Sequence, residues 1–133
     1  MADSTNYRRP GFSTVTAYLM VEDAQNLLAF LEAVFQATVT SREDTPEGKI
    51  QNAEIRLGDS VLELAEARDR WGVATAALHV YVPDVDAVYD RALKAGATSI
   101  HQVMDMPYGE RAGGVKDASG NQWYVATYTG GSA

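Results

Sequence analysis

The chain of 133 residues contains no cysteine, which excludes disulfide staples, thiolate catalysis and zinc knuckles. No apolar run approaches the roughly 20 residues needed to cross a membrane as a helix. The opening stretch, Met1 to Pro10, lacks the apolar core of a signal peptide, so a cytoplasmic protein is expected. Basic residues are in the minority, 11 against 18 acidic ones, for a net charge of −7. That balance argues against nucleic acid and anionic membranes as partners and mildly favours cationic ligands, although acidity also serves solubility. There is no Gly-x-Ser-x-Gly, no P-loop and no dinucleotide fingerprint. The length suits one compact domain, residues 1–133, that buries a core unaided.

What the chain does contain is one pattern written twice. Val21-Glu22-Asp23 and Val82-Pro83-Asp84 each open a helical pattern after a strand, 61 residues apart (82 − 21 = 61). Val61-Leu62-Glu63-Leu64 and Gln122-Trp123-Tyr124-Val125 close the two halves at the same offset (124 − 63 = 61). Few letters are shared, so the repeat is one of pattern.

Alternation predicts a strand over Thr14–Val21, with Val15, Ala17, Leu19 and Val21 on the helix side and Thr16 and Tyr18 opposite. Asp23 is suited to cap a helix that runs to about Phe35. Thr38–Ser41 reads as a strand, Arg42–Lys49 as a loop, and Ile50–Leu57 with Ser60–Ala65 as a hairpin turning at Gly58-Asp59. After a short connection carrying Trp71, the order returns. It comprises a strand over Ala77–Val82, a helix capped by Asp84 or Asp86 and stopped by Gly96, and a strand over Thr98–Val103. A loop over Met104–Gly109, a strand over Glu110–Lys116 and a last strand over Gln122–Tyr128 complete it. Gly113-Gly114 reads as a bend or a place of close approach. The expected fold is α+β, with two tandem βαβββ modules (about 12–67 and 76–129) and an N-terminal arm over 1–10. They form a curved antiparallel-rich sheet with a concave cleft and helices on the outer face.

The order of elements resembles the glyoxalase/bleomycin resistance/dioxygenase (vicinal oxygen chelate) superfamily, and within it the PhnB-like branch. So do three segments: Tyr18-Leu-Met-Val-Glu-Asp23, Arg56-Leu-Gly-Asp-Ser-Val-Leu-Glu-Leu64, and the run from Tyr108 to Trp123. The likeness extends over about Thr14 to Tyr128. This superfamily includes lyases, isomerases, dioxygenases and drug-binding proteins, so fold alone does not choose among them. The resemblance implies a homodimer, to which the polar arm Ala2–Pro10 is free to contribute. It also implies that metal-dependent members would place ligands at Thr16, Glu63, Ala77 and Tyr124. Of these only Glu63 is a strong ligand, and His79 lies about 7 Å further along its strand.

Side-chain parity places Tyr18, Glu63, His79, Tyr81, Gln122, Tyr124 and Ala126 on the face away from the helices. Tyr108 and Trp71 join them from loops. Tyrosine rings with hydroxyl handles, together with Glu63 and Glu54, suit a flat or cationic organic molecule. The expected ligand-binding set is therefore Tyr18, Glu63, His79, Tyr81, Tyr108, Tyr124 and Trp71, with no metal and no cofactor. Arg56 or Arg111 would be the salt-bridge partner of Glu63. His79 and Glu63 are the residues for acid/base work if there is any. Glu66 and His101 are assigned to the surface. The leading expectation is a metal-independent binding and sequestering protein of the bleomycin-resistance type, taking an antibiotic or similar small molecule. The alternative is a divalent-metal-dependent glyoxalase-like lyase or isomerase.

Overall fold

A computed structural model of the chain describes residues 7–130. The beginning of the arm, residues 1–6, lies outside the described residues. Module one comprises β1 (Ala17–Val21), α1 (Ala24–Phe35), β2 (Thr38–Asp44), β3 (Ile50–Leu57) and β4 (Ser60–Glu66). Module two repeats it with β5 (Ala77–Tyr81), α2 (Val85–Lys94), β6 (Thr98–Met106), β7 (Glu110–Lys116) and β8 (Gln122–Tyr128). Each module has its own four-stranded sheet, ordered β1-β4-β3-β2 and β5-β8-β7-β6. Two of the three pairings in each sheet are antiparallel, and β1–β4 and β5–β8 are parallel. The α+β class and the tandem βαβββ order are those the sequence predicts.

Three boundaries differ. Val15 is 84% exposed rather than packed on a helix, because β1 starts only at Ala17, and Thr16 precedes the strand. β2 runs on through Arg42, Glu43 and Asp44, where a loop is expected, and β6 runs on to Met106. Both are edge strands; β2 is exposed along its whole length, and the extension of β6 over Met104–Met106 lacks the half-buried alternation that marks a strand.

The helices begin by equivalent devices. Asp23 and Asp84 each accept a hydrogen bond from a first-turn amide, of Asn26 and Ala87. Behind Asp23, the Glu66 carboxylate accepts from the amides of Asp23 (2.8 Å) and Ala24 (2.9 Å). Glu66 is thus not a plain surface residue: it holds the start of α1 and pins Asp23 in a left-handed conformation, φ 57°. In module two the repeat-equivalent residue, Thr127 (127 − 66 = 61), accepts from the amide of Val85 at 3.0 Å.

α1 and α2 each cover one face of their own sheet and pack on each other. The Arg91 guanidinium donates to the carbonyl of Val34 at the end of α1 (2.9 and 3.2 Å). Trp123, from the helix side of β8, lies 5.3 Å from the ring of Phe35 and 6.5 Å from that of Phe30. One continuous apolar core spans both modules, including Leu19, Leu31, Ile55 and Leu64 from the first and Val88, Val115, Trp123 and Val125 from the second. The two units thus meet through their helical faces, and the uncovered face of each sheet looks outward.

Gly113 and Gly114 show why a glycine pair interrupts β7. A Cβ on Gly113 would stand 3.1 Å from Tyr89 and 2.9 Å from Val103 on the helix side. One on Gly114 would stand 3.0 Å from His101 and 3.1 Å from Tyr124 on the other. The pair admits rings on both faces of one strand, which is the expected close approach.

Candidate functional site

The two uncovered faces are built on one register and carry different chemistry. On module one, Tyr18, Glu63 and Glu54 lie side by side across β1, β4 and β3. Two carboxylates directly opposite would repel, and each is given its own partner. Asn52 bridges the Tyr18 hydroxyl and Glu63 Oε1, donating to both at 3.2 Å. Glu54 is buried and ion-paired with Arg9. Arg9 belongs to the end of the arm, which folds back on its own module; its guanidinium also lies 5.9 Å from the centre of the Phe12 ring. The partner of Glu63 is therefore Asn52. Arg56 does not pair with it, and Arg111 lies on the helix side of β7, clamped to Asp86 (2.8 and 3.0 Å) and Asp105 (3.3 Å). That clamp holds the Asp86 carboxyl below its usual range.

On module two, His79, Tyr124, Gly114 and His101 form one row across β5, β8, β7 and β6. His101 is no idle strand-end residue. Its ring stacks on Tyr124, 6.3 Å between centres and 25° between planes, over the bare backbone of Gly114. The next row is floored by Ala112 and Ala126. Because these side chains are short, β5 and β7 can communicate across them: the Tyr81 hydroxyl donates to Glu110, and His79 Nε2 lies 3.5 Å from the same carboxylate. The hydrogen bond to Glu110 holds the Tyr81 phenol proton and raises its pKa above 10.0. The His79 ring packs edge-on to Tyr81 at 4.7 Å.

Glu110, 8% exposed, is the residue that reading the sequence misses. Parity along β7 carried the signal, since Glu110, Ala112 and Gly114 share one face. The alternation of small residues there marks a floor rather than a core.

Among the described residues, those expected to bind a ligand border several different cavities. Tyr18 and Trp71 line a cavity of about 240 Å³ on module one. His79 and Tyr81 line another, of about 270 Å³, where β5 passes the β3–β4 turn. Glu63 borders the arm beside Arg9 and Phe12. Tyr124 and Tyr108 line neither of the first two. Trp71 is half-exposed and already approached by its own chain, with Arg70 4.6 Å and Arg68 5.6 Å from its ring centre.

The fold and this repeated register agree with comparison to known proteins. Residues 12–125 match the Glyoxalase/Bleomycin resistance protein/Dioxygenase superfamily. The chain belongs to this superfamily. It is 32% identical over 120 residues to the uncharacterized protein Mb0911c of Mycobacterium bovis, a match that spans 82% of this chain and 79% of the relative. Its fold is similar to that of TioX from Micromonospora sp. ML1, with TM-score 0.74, 24% identity, and coverage of 87% of this chain and 98% of TioX. It is likewise similar to the PhnB protein of Bacillus cereus, with TM-score 0.67, 16% identity, and coverage of 86% and 99%. Members of the superfamily bind small molecules and often form dimers.

The side chains present do not fit the metal that some members of the superfamily use. Of the four equivalent positions, Thr16 precedes its strand, Ala77 has no donor, and the Tyr124 hydroxyl donates to Gln122. Only Glu63 remains, and His79 faces Glu110 instead. Among the described residues of one chain, no three His, Cys, Asp or Glu side chains group as a metal site. Nor, among these residues, is any helix long and apolar enough to cross a membrane.

Proposed function

We propose that the protein binds and sequesters a small organic molecule, an aromatic or cationic natural product of the antibiotic kind, without a metal ion and without chemical turnover. Two copies combine in the cytoplasm so that the uncovered face of module one meets that of module two from its partner. The observation that carries this reading is the pairing within the protein of three candidate metal donors. Glu63 accepts from Asn52, His79 abuts Glu110, and Tyr124 donates to Gln122. Such side chains are set to offer rings and hydrogen bonds to an organic guest rather than free donors to an ion.

The outward direction of the uncovered faces supports the dimer. So does the distribution of the expected binding residues over separate cavities of one chain, Tyr18 and Trp71 in one, His79 and Tyr81 in a second and Glu63 in a third. The test is bound-metal content after incubation with nickel, cobalt, zinc and manganese and dialysis, alongside sedimentation. The expected result is a dimer that retains no ion and whose binding of aromatic natural products is indifferent to chelator. Retention of about one ion per chain would overturn the reading in favour of a metal-dependent lyase or isomerase.

A further inference from the structure

Glu110 differs from the acidic residues of module one. Glu54 is answered by Arg9 and Glu63 by Asn52, whereas among the described residues no lysine or arginine pairs with Glu110. Its partners are the Tyr81 hydroxyl and the half-exposed imidazole of His79. Around this nine-tenths-buried carboxylate stand three of the most exposed rings in the molecule: Tyr81 at 62%, Tyr108 at 64% and Tyr128 at 68%.

The backbone brings these rings together. Tyr128 is the direct cross-strand partner of Glu110, and Tyr108 sits in the β6–β7 turn two residues before it. That turn is tied to the end of β8 by the Thr129 amide, which donates to the carbonyl of Gly109 at 2.9 Å. Tyr108 and Tyr128 each lie within electrostatic reach of Tyr81. Exposed tyrosines gain nothing for the core of this chain. A negative charge amid exposed rings is the arrangement that attracts an organic cation through charge and cation–π contact together.

We propose that Glu110, with Tyr81, Tyr108 and Tyr128, forms an anchor for the ammonium group of an organic cation. This deepens the reading given under Proposed function and rests on it, since it names the part of the guest that module two recognises. The rings supply the faces, and Glu110 supplies the charge beside them.

The test uses the full chain, its backbone amide NMR spectrum, and two probes of the same shape: choline and its uncharged isostere 3,3-dimethyl-1-butanol. Choline is expected to shift amides of residues 108–112 and 126–129 saturably, while the alcohol leaves them unmoved. Glu110→Gln is expected to weaken choline binding by roughly tenfold or more, and Tyr128→Ala, at an exposed position, by several-fold. Tyr81→Phe keeps the ring and frees the carboxylate, so it is expected to retain or tighten binding. Glu47→Gln, in the exposed loop between β2 and β3 of module one, is expected to change nothing.

Equal shifts by both probes, or choline shifts that survive Glu110→Gln, would overturn the proposal. So would movement of these amides with protein concentration but not with choline, which would mark the patch as covered by a second copy. Failure of choline in a dimer that is metal-free and binds neutral aromatic antibiotics removes the anchor alone. Retention of a metal ion alongside saturable choline binding removes the broader reading alone.

Discussion

Behind the capping aspartates, module one holds the start of its helix with a carboxylate and module two with a hydroxyl, Glu66 against Thr127, at equivalent points of one repeated frame. The same contrast runs through the rest of the repeat. The β3–β4 turn is a tight Gly58-Asp59 pair, while the β7–β8 turn is a five-residue loop organised by buried Asp117. Asp117 accepts from the amides of Ser119 (2.8 Å) and Asn121 (3.0 Å), from the Asn121 side chain (3.0 Å) and from Trp123 Nε1 (2.8 Å). On the uncovered faces, module one presents carboxylates already matched to Arg9 and Asn52, and module two presents rings over Glu110. The comparison teaches that burial of the helix-side face maintains the strand order, while the opposite face and the turns are free to diverge.

The sharpest way to break this comparison is at the turns. Asp117→Ala strands the Trp123 and Asn121 donors in the core and is expected to cost about 3 kcal/mol in urea unfolding. Asp59→Ala, at the exposed turn of module one, is expected to fall within about 0.5 kcal/mol of the parent. Equal losses would show that the two turns bear the same strain.

Next come the glycines of β7. Gly113→Ala meets Val103 and Tyr89 inside the packed helix-side layer and is expected to cost about 2–3 kcal/mol. Gly114→Ala pushes only on the partly exposed rings of His101 and Tyr124 and is expected to cost about 1 kcal/mol. It should also abolish ring-current shifts between those two residues in the proton NMR spectrum. A larger loss at Gly114 would reverse the assignment of faces.

The helix starts give a smaller contrast. Glu66→Ala removes the acceptor of two amides and is expected to cost about 1–2 kcal/mol, against about 1 kcal/mol for Thr127→Ala, both by chemical denaturation.

The smallest effect concerns pH. Folded Tyr81 holds its proton more tightly than free tyrosine, so the stability this contributes is complete below pH 10.0 and is lost as pH rises through the raised value. Phenolate absorbance should show one tyrosine ionising late. Glu110→Gln should return that tyrosine toward the ordinary range.

Much of this architecture could be read from residue order, for a physical reason. Leu62 and Leu64 alternate with Glu63, and Trp123 and Val125 with Tyr124, because each strand buries one face under a helix. Where that asymmetry fails, so does the reading. The far ends of β2 and β6 carry no buried stripe, and Val15 lies beyond the helix that would have covered it. The candidate site was legible as a set of side chains on a face but not as partnerships. Nothing local to Glu110 announces that Tyr81, 29 residues away, will hold it. Likewise Glu63 gives no sign that its partner is the amide of Asn52 rather than an arginine.

The parallel pairings have a kinetic consequence. Ala17 meets Leu62 and Ala77 meets Gln122, so each module closes a separation of 45 residues (62 − 17 and 122 − 77). Neither contact is rewarded until the helix and the three-stranded meander between its ends have been ordered, which makes these slow, late steps. The strands that dock in them, β1 and β5, are the ones that carry Tyr18, His79 and Tyr81. A chain halted one step short of its native state therefore lacks Leu19 in its core as well as a finished face for a guest, and ligand uptake during refolding counts only molecules that have completed the last strand.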